Sequence, residues 1–442
     1  MRRWWVAALA LAVVAGGAGA TTLLQQPAEP TAGPPPTPSP DPVRTPLLST
    51  PPLTGAPTTA GLTRALATAL RDPALGRLGL SVLDSATGKP LLERDAGTPK
   101  TPASTTKIVT ALAALTVLEP TATFSTRLVE GAAGDLVLVG GGDPSLTGRY
   151  PATDGFGGAT LRALAAQTQG RTVRRIVVDD GLFTGPRLGP GWKPGYVTSG
   201  DVAPVSSLQV DGGRSGRGKS QPRVADPALE AGRQLAALLR VGTVVRGRAP
   251  AGALEVGQVS SPPVADLVEA MLTRSDNDYA EALGRQVALA SGKPATFAGE
   301  QAAITAAVGP LLNRVSAPLT GVRLRDASGL SPVSLMSPAA LSRLLALAST
   351  EDRYAAVLSG LPVGGFDGTL AKRFRTGLGA GQVRAKTGTL NGVSALAGLV
   401  RTRGGSVLSF AFAANGLPLS GTLAAQRALD RLATALAGCG CP

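Results

Sequence analysis

A chain of 442 residues has room for two or three domains, and with 43% hydrophobic but only 3% aromatic residues its core has to be built mainly from Ala, Leu and Val. Forty-three Lys and Arg against 29 Asp and Glu leave a net charge of +14, which suits an anionic partner such as lipid or a cell-wall polymer. Nucleic acid is disfavoured because the basic residues are scattered and base-stacking aromatics are scarce; the absence of histidine, with Cys439 and Cys441 the only cysteines, excludes the usual zinc sites and any Cys–His nucleophile.

Arg2 and Arg3, an apolar run from Trp4 to Ala15 and the small-residue pattern Ala18-Gly19-Ala20 predict an export signal within residues 1–25. The uncharged stretch from Trp4 to Leu24 is also long enough to span a bilayer, so a retained anchor, and with it membrane association, is the other reading. Residues 26–58 are Pro-rich and predict an extended spacer. Folded structure is predicted from near Ala60, where LTRALATAL has helical spacing and LGLSVLDSATGKPLLERD reads as strand, turn and strand with its reversal at Ser85 to Gly88. A helix follows through PASTTKIVTALAAL, residues 102–115, with Thr101 as cap, Pro102 in the first turn, and Ile108, Val109, Leu112 and Leu115 on the buried face.

From about Leu128 the pattern changes to short strands between Gly- and Pro-rich turns: TRLVEG, GDLVLVGGGDPSLT, RRIVVDDGLFTG and VSSLQVDGG. Helical periodicity returns over Val264 to Leu272 and again over Tyr279 to Ala290. RAKTGTL, VSALAGLV and SVLSFAFAAN then predict three consecutive strands, the first two joined through Asn391-Gly392, and a helix from Leu423 to Leu436 closes the chain. Helices at both ends of an antiparallel sheet predict an α+β layer domain made of residues 59–127 and 257–442, with a β-rich segment, 128–256, inserted into it. Cys439 and Cys441, one residue apart at the extreme end, would form a strained bridge and read as dispensable tail thiols.

Three short patterns fall on this frame: Ser104-Thr105-Thr106-Lys107, Ser275-Asp276-Asn277 and Lys386-Thr387-Gly388-Thr389. Each alone has a plain structural reading, as a capping serine beside a solvated lysine, a helix cap, or an exposed strand cation. Yet of all the lysines only Lys107 has a serine three positions earlier, and Ser-x-Asn and KTG each occur once. Residues i and i+3 share a helix face, so the Lys107 amine can reach the Ser104 hydroxyl. Burial beside an apolar helix, the positive helix N-terminus and a second cation, Lys386, would each disfavour the charge on Lys107 and turn it into a general base.

The motifs and their order resemble the penicillin-binding proteins and serine β-lactamases, and among these the low-molecular-mass class C D-alanyl-D-alanine carboxypeptidase/endopeptidases. The resemblance runs from about residue 60 to the C-terminus, is carried further by GGGDPSLT, VDDGLFTGPRLGPGW, SPPVADLVEAMLTRSDNDYAEALGR and RDASGLS, and fits the 171 residues between Ser104 and Ser275, where that class carries extra domains. It implies a β-lactamase/DD-peptidase-like domain, an antiparallel sheet flanked by helices, with a β-rich insertion between the first and second motifs. It also implies a serine-type D-Ala-D-Ala carboxypeptidase/endopeptidase that acts on peptidoglycan stem peptides through an acyl-enzyme. Such an enzyme needs no metal or organic cofactor, is blocked covalently by β-lactam antibiotics, and works in the cell wall or at the outer face of the membrane.

The resemblance assigns roles as well. Ser104 is the nucleophile and Lys107 its base; Ser275 shuttles a proton to the leaving nitrogen and Asn277 holds the substrate amide. Lys386, Thr387 and Thr389 meet the terminal carboxylate, Gly388 lets its strand approach the ligand, and the Ser104 and Thr389 N–H groups form the oxyanion hole. Asp276 is expected to be a solvated loop acid, and Asp143, Asp179 and Asp180 to be turn acids. Asp326 to Gly329 either line the cleft floor or make a plain turn, and Trp192 either stacks on glycan or packs within its loop. Two rivals stand beside this reading. A class A β-lactamase needs, in addition, a Glu with an Asn four residues later, and no asparagine precedes Asn277. A non-catalytic wall-binding protein would have no reason to keep both nucleophile and base.

Overall fold

Two five-stranded sheets organise the computed structural model, which describes residues 57–148, 158–216 and 221–441. The expected signal or anchor, and the Pro-rich spacer as far as residue 56, lie outside the described residues. Helix α1 (Thr59–Leu66) is capped by Thr58, whose hydroxyl accepts from the Gly61 N–H at 3.0 Å. Strands β1 (Arg77–Asp84) and β2 (Pro90–Arg94) follow, then helix α2 (Thr106–Val117). The next stretch holds β3 (Ser125–Glu130), β4 (Asp135–Val139), α3 (Leu161–Ala166), β5 (Arg175–Asp179), α4 (Pro227–Leu239), β6 (Val244–Arg246) and β7 (Glu255–Ser260). Helices α5 (Val264–Arg274), α6 (Asn277–Ala290) and α7 (Phe297–Arg314) come after it, then the two-residue strands β8 (Val322–Arg323) and β9 (Leu335–Met336), and helices α8 (Pro338–Ala348) and α9 (Ala355–Gly360). Strands β10 (Val383–Leu390), β11 (Val393–Arg401) and β12 (Val407–Asn415) and helix α10 (Thr422–Ala437) complete the chain.

The first sheet is antiparallel throughout, in the order β10-β11-β12-β1-β2. Alternation along a strand sends successive side chains to opposite faces. Leu408, Phe410, Phe412 and Ala414 of β12 therefore share one core with Leu62 and Leu66 of α1 and Leu429, Leu432 and Leu436 of α10. Ala411 and Ala397 turn the other way, into the core built by α2 and α5 to α8. Within that core α2 is buried on every side from Thr106 to Leu115, as befits a helix with almost no polar face. Lys107 is carried into the interior by the helix on which it rides.

Helix α2 begins four residues later than the sequence predicts. Ala103 takes a positive φ of 49°, which breaks the helical path, and a 3-10 turn over Ala103–Thr105 leads into the helix. Thr101 is consequently not its cap; its hydroxyl donates to the Pro332 carbonyl at 3.2 Å.

The second sheet has the order β6-β5-β4-β3-β7, antiparallel at β3–β4 and β3–β7 and parallel at β4–β5 and β5–β6. Parallel neighbours need a crossover. Helix α4 supplies the one between β5 and β6, packing Ala228, Ala231 and Leu235 against Ile176 and Val178. The strand-and-turn reading of this stretch does not anticipate α4. The strand expected at VSSLQVDGG is loop, because Asp211, Gly212 and Gly213 take φ of 53°, 60° and 64°, outside any strand.

The tail also departs from expectation. Cys439 and Cys441 are joined in a disulfide, Cys439 is buried against the core shared by α1 and α10, and the Thr58 N–H donates to the Cys441 carbonyl at 3.1 Å. The tail is part of the packing, which free thiols on a loose end would not be. No helix among the described residues is long and apolar enough to cross a membrane.

Candidate active site

Ser104 lies in the 3-10 turn before α2, half-buried, with two glycines pressed against that turn. A Cβ on Gly329, whose φ is 79°, would fall 2.0 Å from the Ala103 carbonyl oxygen, and one on Gly388 of β10 would fall 2.6 Å from that of Pro102. The close approach expected of Gly388 is thus made to the turn that carries Ser104, where the sequence reading has it approaching a ligand.

Lys107 is fully buried, and its Nζ lies 3.2 Å from Ser104 Oγ, 2.6 Å from Asn277 Oδ1 and 2.7 Å from the Ser328 carbonyl oxygen. Carbonyl oxygens only accept, so those two take two N–H groups; in the neutral amine the lone pair is left for the Ser104 O–H. Burial drives its pKa down from the usual lysine range to about 8, against the pull of Asp326, Glu281, Asp276 and Asp278 in the other direction. The Asn277 Nδ2 donates to the Asp201 carbonyl at 2.8 Å, which leaves that amide one N–H and one lone pair for a ligand.

Ser275 follows α5 in the left-handed region, with φ 58°, and only Asp276 separates it from α6. Asp276 accepts from the N–H groups of Asp278 at 2.9 Å and Tyr279 at 3.3 Å, so it is the cap of α6. It is not the solvated acid the sequence suggests. It is half-buried, and although burial opposes its charge, Arg214 and Arg223, the capping bond and Arg274 hold its carboxyl below the usual range. Arg214 lies 3.7 Å away.

Lys386 of β10 is fully buried too, its Nζ 2.7 Å from Ser275 Oγ and 2.9 Å from the Thr387 carbonyl. Burial, then the positive charges of Lys107 and Arg373, hold its pKa well below the usual lysine range. It is no exposed strand cation. The Thr387 hydroxyl donates to that of Thr369 at 3.1 Å, and Thr389 is exposed along the same strand, which is an edge of its sheet.

The loop over Asp326 to Ser331 forms one wall. Asp326 accepts from the N–H groups of Gly329 at 3.0 Å and Ser331 at 2.7 Å and from Trp192 Nε1 at 2.7 Å. Its Ser328 carbonyl grips Lys107, so this segment belongs to the site and is more than a turn. Trp192 also meets Phe297 edge-on, ring centroids 5.5 Å apart; its indole packs within the protein. From the segment between β5 and α4, the Ala203 N–H donates to Asp278 Oδ1 at 2.8 Å, and Arg223 lies 2.8 Å from Asp278 Oδ2.

Ser328 falls in the segment Asp326 to Gly329 that the sequence reading offers as a cleft floor, whereas the sequence offers no motif for Asp201 or Ala203, which act through backbone groups that any residue supplies. Asp143 holds the Ser145 N–H in a turn, and burial raises its pKa to about 6. Asp179 and Asp180 pair with Arg248 at 3.2 Å and Arg187 at 2.5 Å. Among the described residues no group of three or more acids or cysteines could hold a metal ion.

The family model for D-Ala-D-Ala carboxypeptidase 3 (S13) matches residues 62–217 and 214–436. Carboxypeptidase Rv3627c of Mycobacterium tuberculosis is 38% identical over 424 residues, 92% of this chain and 90% of that protein. Carboxypeptidase DacB of Mycolicibacterium smegmatis is 37% identical over 453 residues, 99% and 96% of the two chains. The fold is similar to that of penicillin binding protein 4 from Haemophilus influenzae, with a TM-score of 0.65 and 22% identity over 81% of this chain and 93% of that one. That protein has also been solved in complex with a novel β-lactam.

Proposed function

This chain belongs to the D-Ala-D-Ala carboxypeptidase 3 (S13) family, and from that premise we propose how it works as a serine-type D-Ala-D-Ala carboxypeptidase on peptidoglycan stem peptides. Ser104 Oγ attacks the carbonyl of the penultimate D-alanine while the lone pair of Lys107 Nζ takes the hydroxyl proton. The oxyanion is met by the Ser104 and Thr389 N–H groups, donors of a kind worth about 3–4 kcal/mol each in other hydrolases. Ser275, backed by Lys386, passes a proton to the nitrogen of the leaving D-alanine, whose carboxylate lies along β10 against the Thr387 and Thr389 hydroxyls. Water then releases the peptide from Ser104. The observation that carries this reading is the buried Lys107 amine, with two carbonyl oxygens on its N–H groups and the Ser104 hydroxyl on its remaining side.

Penicillins would acylate Ser104 by the same attack and stay there. None of the four asparagines, Asn277, Asn313, Asn391 and Asn415, has a glutamate four residues earlier, so the class A deacylating pair is missing from the whole chain. The organisation that fits is a peptidase domain of residues 59–127 and 257–442, with 128–256 inserted. Its place of work is outside the cytoplasm, as the signal-like N-terminus and a wall substrate both require.

The test is release of D-alanine from a stem pentapeptide. Ser104→Ala is expected to abolish it, and Lys107→Ala to abolish labelling by a fluorescent penicillin. Unimpaired labelling of Lys107→Ala would remove the lysine from this role. Mass spectrometry of products from a pentapeptide and from a cross-linked dimer separates carboxypeptidase from endopeptidase action.

A further inference from the structure

Behind Lys107 lies a second set of ionisable groups that the reaction above does not use. Glu281 stands one turn along α6 from Asn277, on the same helix face. It is buried, and its Oε1 accepts from the Ser328 N–H at 2.9 Å. Asn277 and the Ser328 carbonyl are the two acceptors that grip Lys107 Nζ. One face of α6 therefore controls both, Asn277 directly and Ser328 through Glu281.

The remaining oxygen of Glu281, Oε2, is buried, and its carboxyl lies within hydrogen-bonding reach of Glu300. Glu300 of α7 faces it, fully buried, with Arg285 Nε 3.5 Å from Glu300 Oε2 and the Arg285 guanidinium over the Phe297 ring at 4.2 Å. A Cβ on Gly284 would fall 2.7 Å from the Ala327 Cβ and 3.2 Å from Glu300 Oε2, so the helix and the acid loop are packed tightly here. Two carboxyl groups beside one guanidinium in so dry a space do not both ionise readily. Whether Glu281 holds a proton changes the charge that Lys107 feels. The other charged groups around Lys107 are Asp326 of the loop, Asp276 and Asp278 at the start of α6, and Lys386 of β10.

We propose that Glu281 is a positioning residue which fixes the Ser328 peptide against Lys107 and, by its charge, sets the pH above which that amine can take the Ser104 proton. The inference rests on Lys107 being the base. The signs are consistent. Burial first, then Asp326, pushes the Glu281 carboxyl up to about 7, close to the range in which Lys107 loses its proton. An anionic Glu281 favours the ammonium form of Lys107. Making position 281 neutral must release the lysine proton at lower pH.

The experiment follows the rate of acylation by a fluorescent penicillin against pH in the full chain. In the wild type the rate should rise with pH and level off above about 8 as Lys107 becomes neutral. Glu281→Gln keeps an acceptor for the Ser328 N–H and removes the charge, so the rising limb should move down by roughly half to one pH unit. Glu300→Gln is the comparison; burial holds that carboxyl well above the usual range, so removing it should move the limb less than Glu281→Gln does. Superimposable limbs in Glu281→Gln and wild type, or equal shifts in both variants, would overturn the proposal. A measurement that needs no variant stands beside it: the ¹³C resonance of the Lys107 Cε should show a second inflection that coincides with a glutamate carboxyl, and a single inflection overturns the idea. Failure of the Lys107 reading itself would appear differently, as a normal plateau rate in Lys107→Ala.

Discussion

A primary amine can act as a base only where its charged form is unwelcome, and at Lys107 burial outweighs four nearby acids. The nucleophile beside it depends on residues with no chemistry of their own. Ala103 takes a left-handed φ just before Ser104, and Gly329 fits against its carbonyl only because it lacks a Cβ. Gly329→Ala would add strain at a positive φ together with a 2.0 Å clash. Its expected cost is about 2 kcal/mol or more of stability, with at least a tenfold slower penicillin labelling, read by urea unfolding and by labelling rate. Labelling at the wild-type rate would show that the turn tolerates displacement. At this scale Ser104, Lys107, Ser275, Asn277 and Lys386 were legible because each needs a particular side chain at a fixed spacing. Asp201 was not, because a carbonyl leaves no mark in a sequence; Ser328 was reached only as part of the segment Asp326 to Gly329.

Elements were legible where one pattern dominates. Strands β10 to β12 are runs buried almost throughout, the first two turning at Asn391-Gly392, and α10 repeats its leucines at helical spacing, so their bounds differ by only a residue or two from those expected. Helix α4 escaped notice because its apolar stripe is largely alanine between two Gly- and Arg-rich loops, although Asp226 and Pro227 mark its start. The loop before it carries weight that composition hides. Arg223 is buried, pairs with Asp278 at 2.8 Å and donates through Nε to the Gly200 carbonyl at 3.0 Å, and so ties that loop to the start of α6. Arg223→Met would strand a buried carboxylate, an expected loss of about 3–5 kcal/mol in urea unfolding. Because Asp201 in the same loop orients Asn277, KM for a pentapeptide should rise along with it.

Across the whole molecule, the two ends of the described chain hold one another. Thr58 and Gly61 meet Cys441, and Cys439 is sealed under α1 and α10. A bridge across so short a loop restricts the unfolded chain only modestly, so replacing Cys439 and Cys441 together by serine is expected to cost roughly 1–2 kcal/mol. The melting temperature should fall by a few degrees, and a reductant added to the wild type should lower it by a similar amount; a protein indifferent to both would show that the tail contributes nothing. The sheet order extends the same closure. Strand β1 is made early, yet its partner β12 is among the last segments to be made, and β10, which bears Lys386, is only slightly older. A growing chain therefore holds Ser104 and Lys107 before the strand that bears Lys386 has been made. Long-range pairing of this kind also slows folding. The catalytic groove of this carboxypeptidase is therefore one of the last parts of the molecule that synthesis can complete.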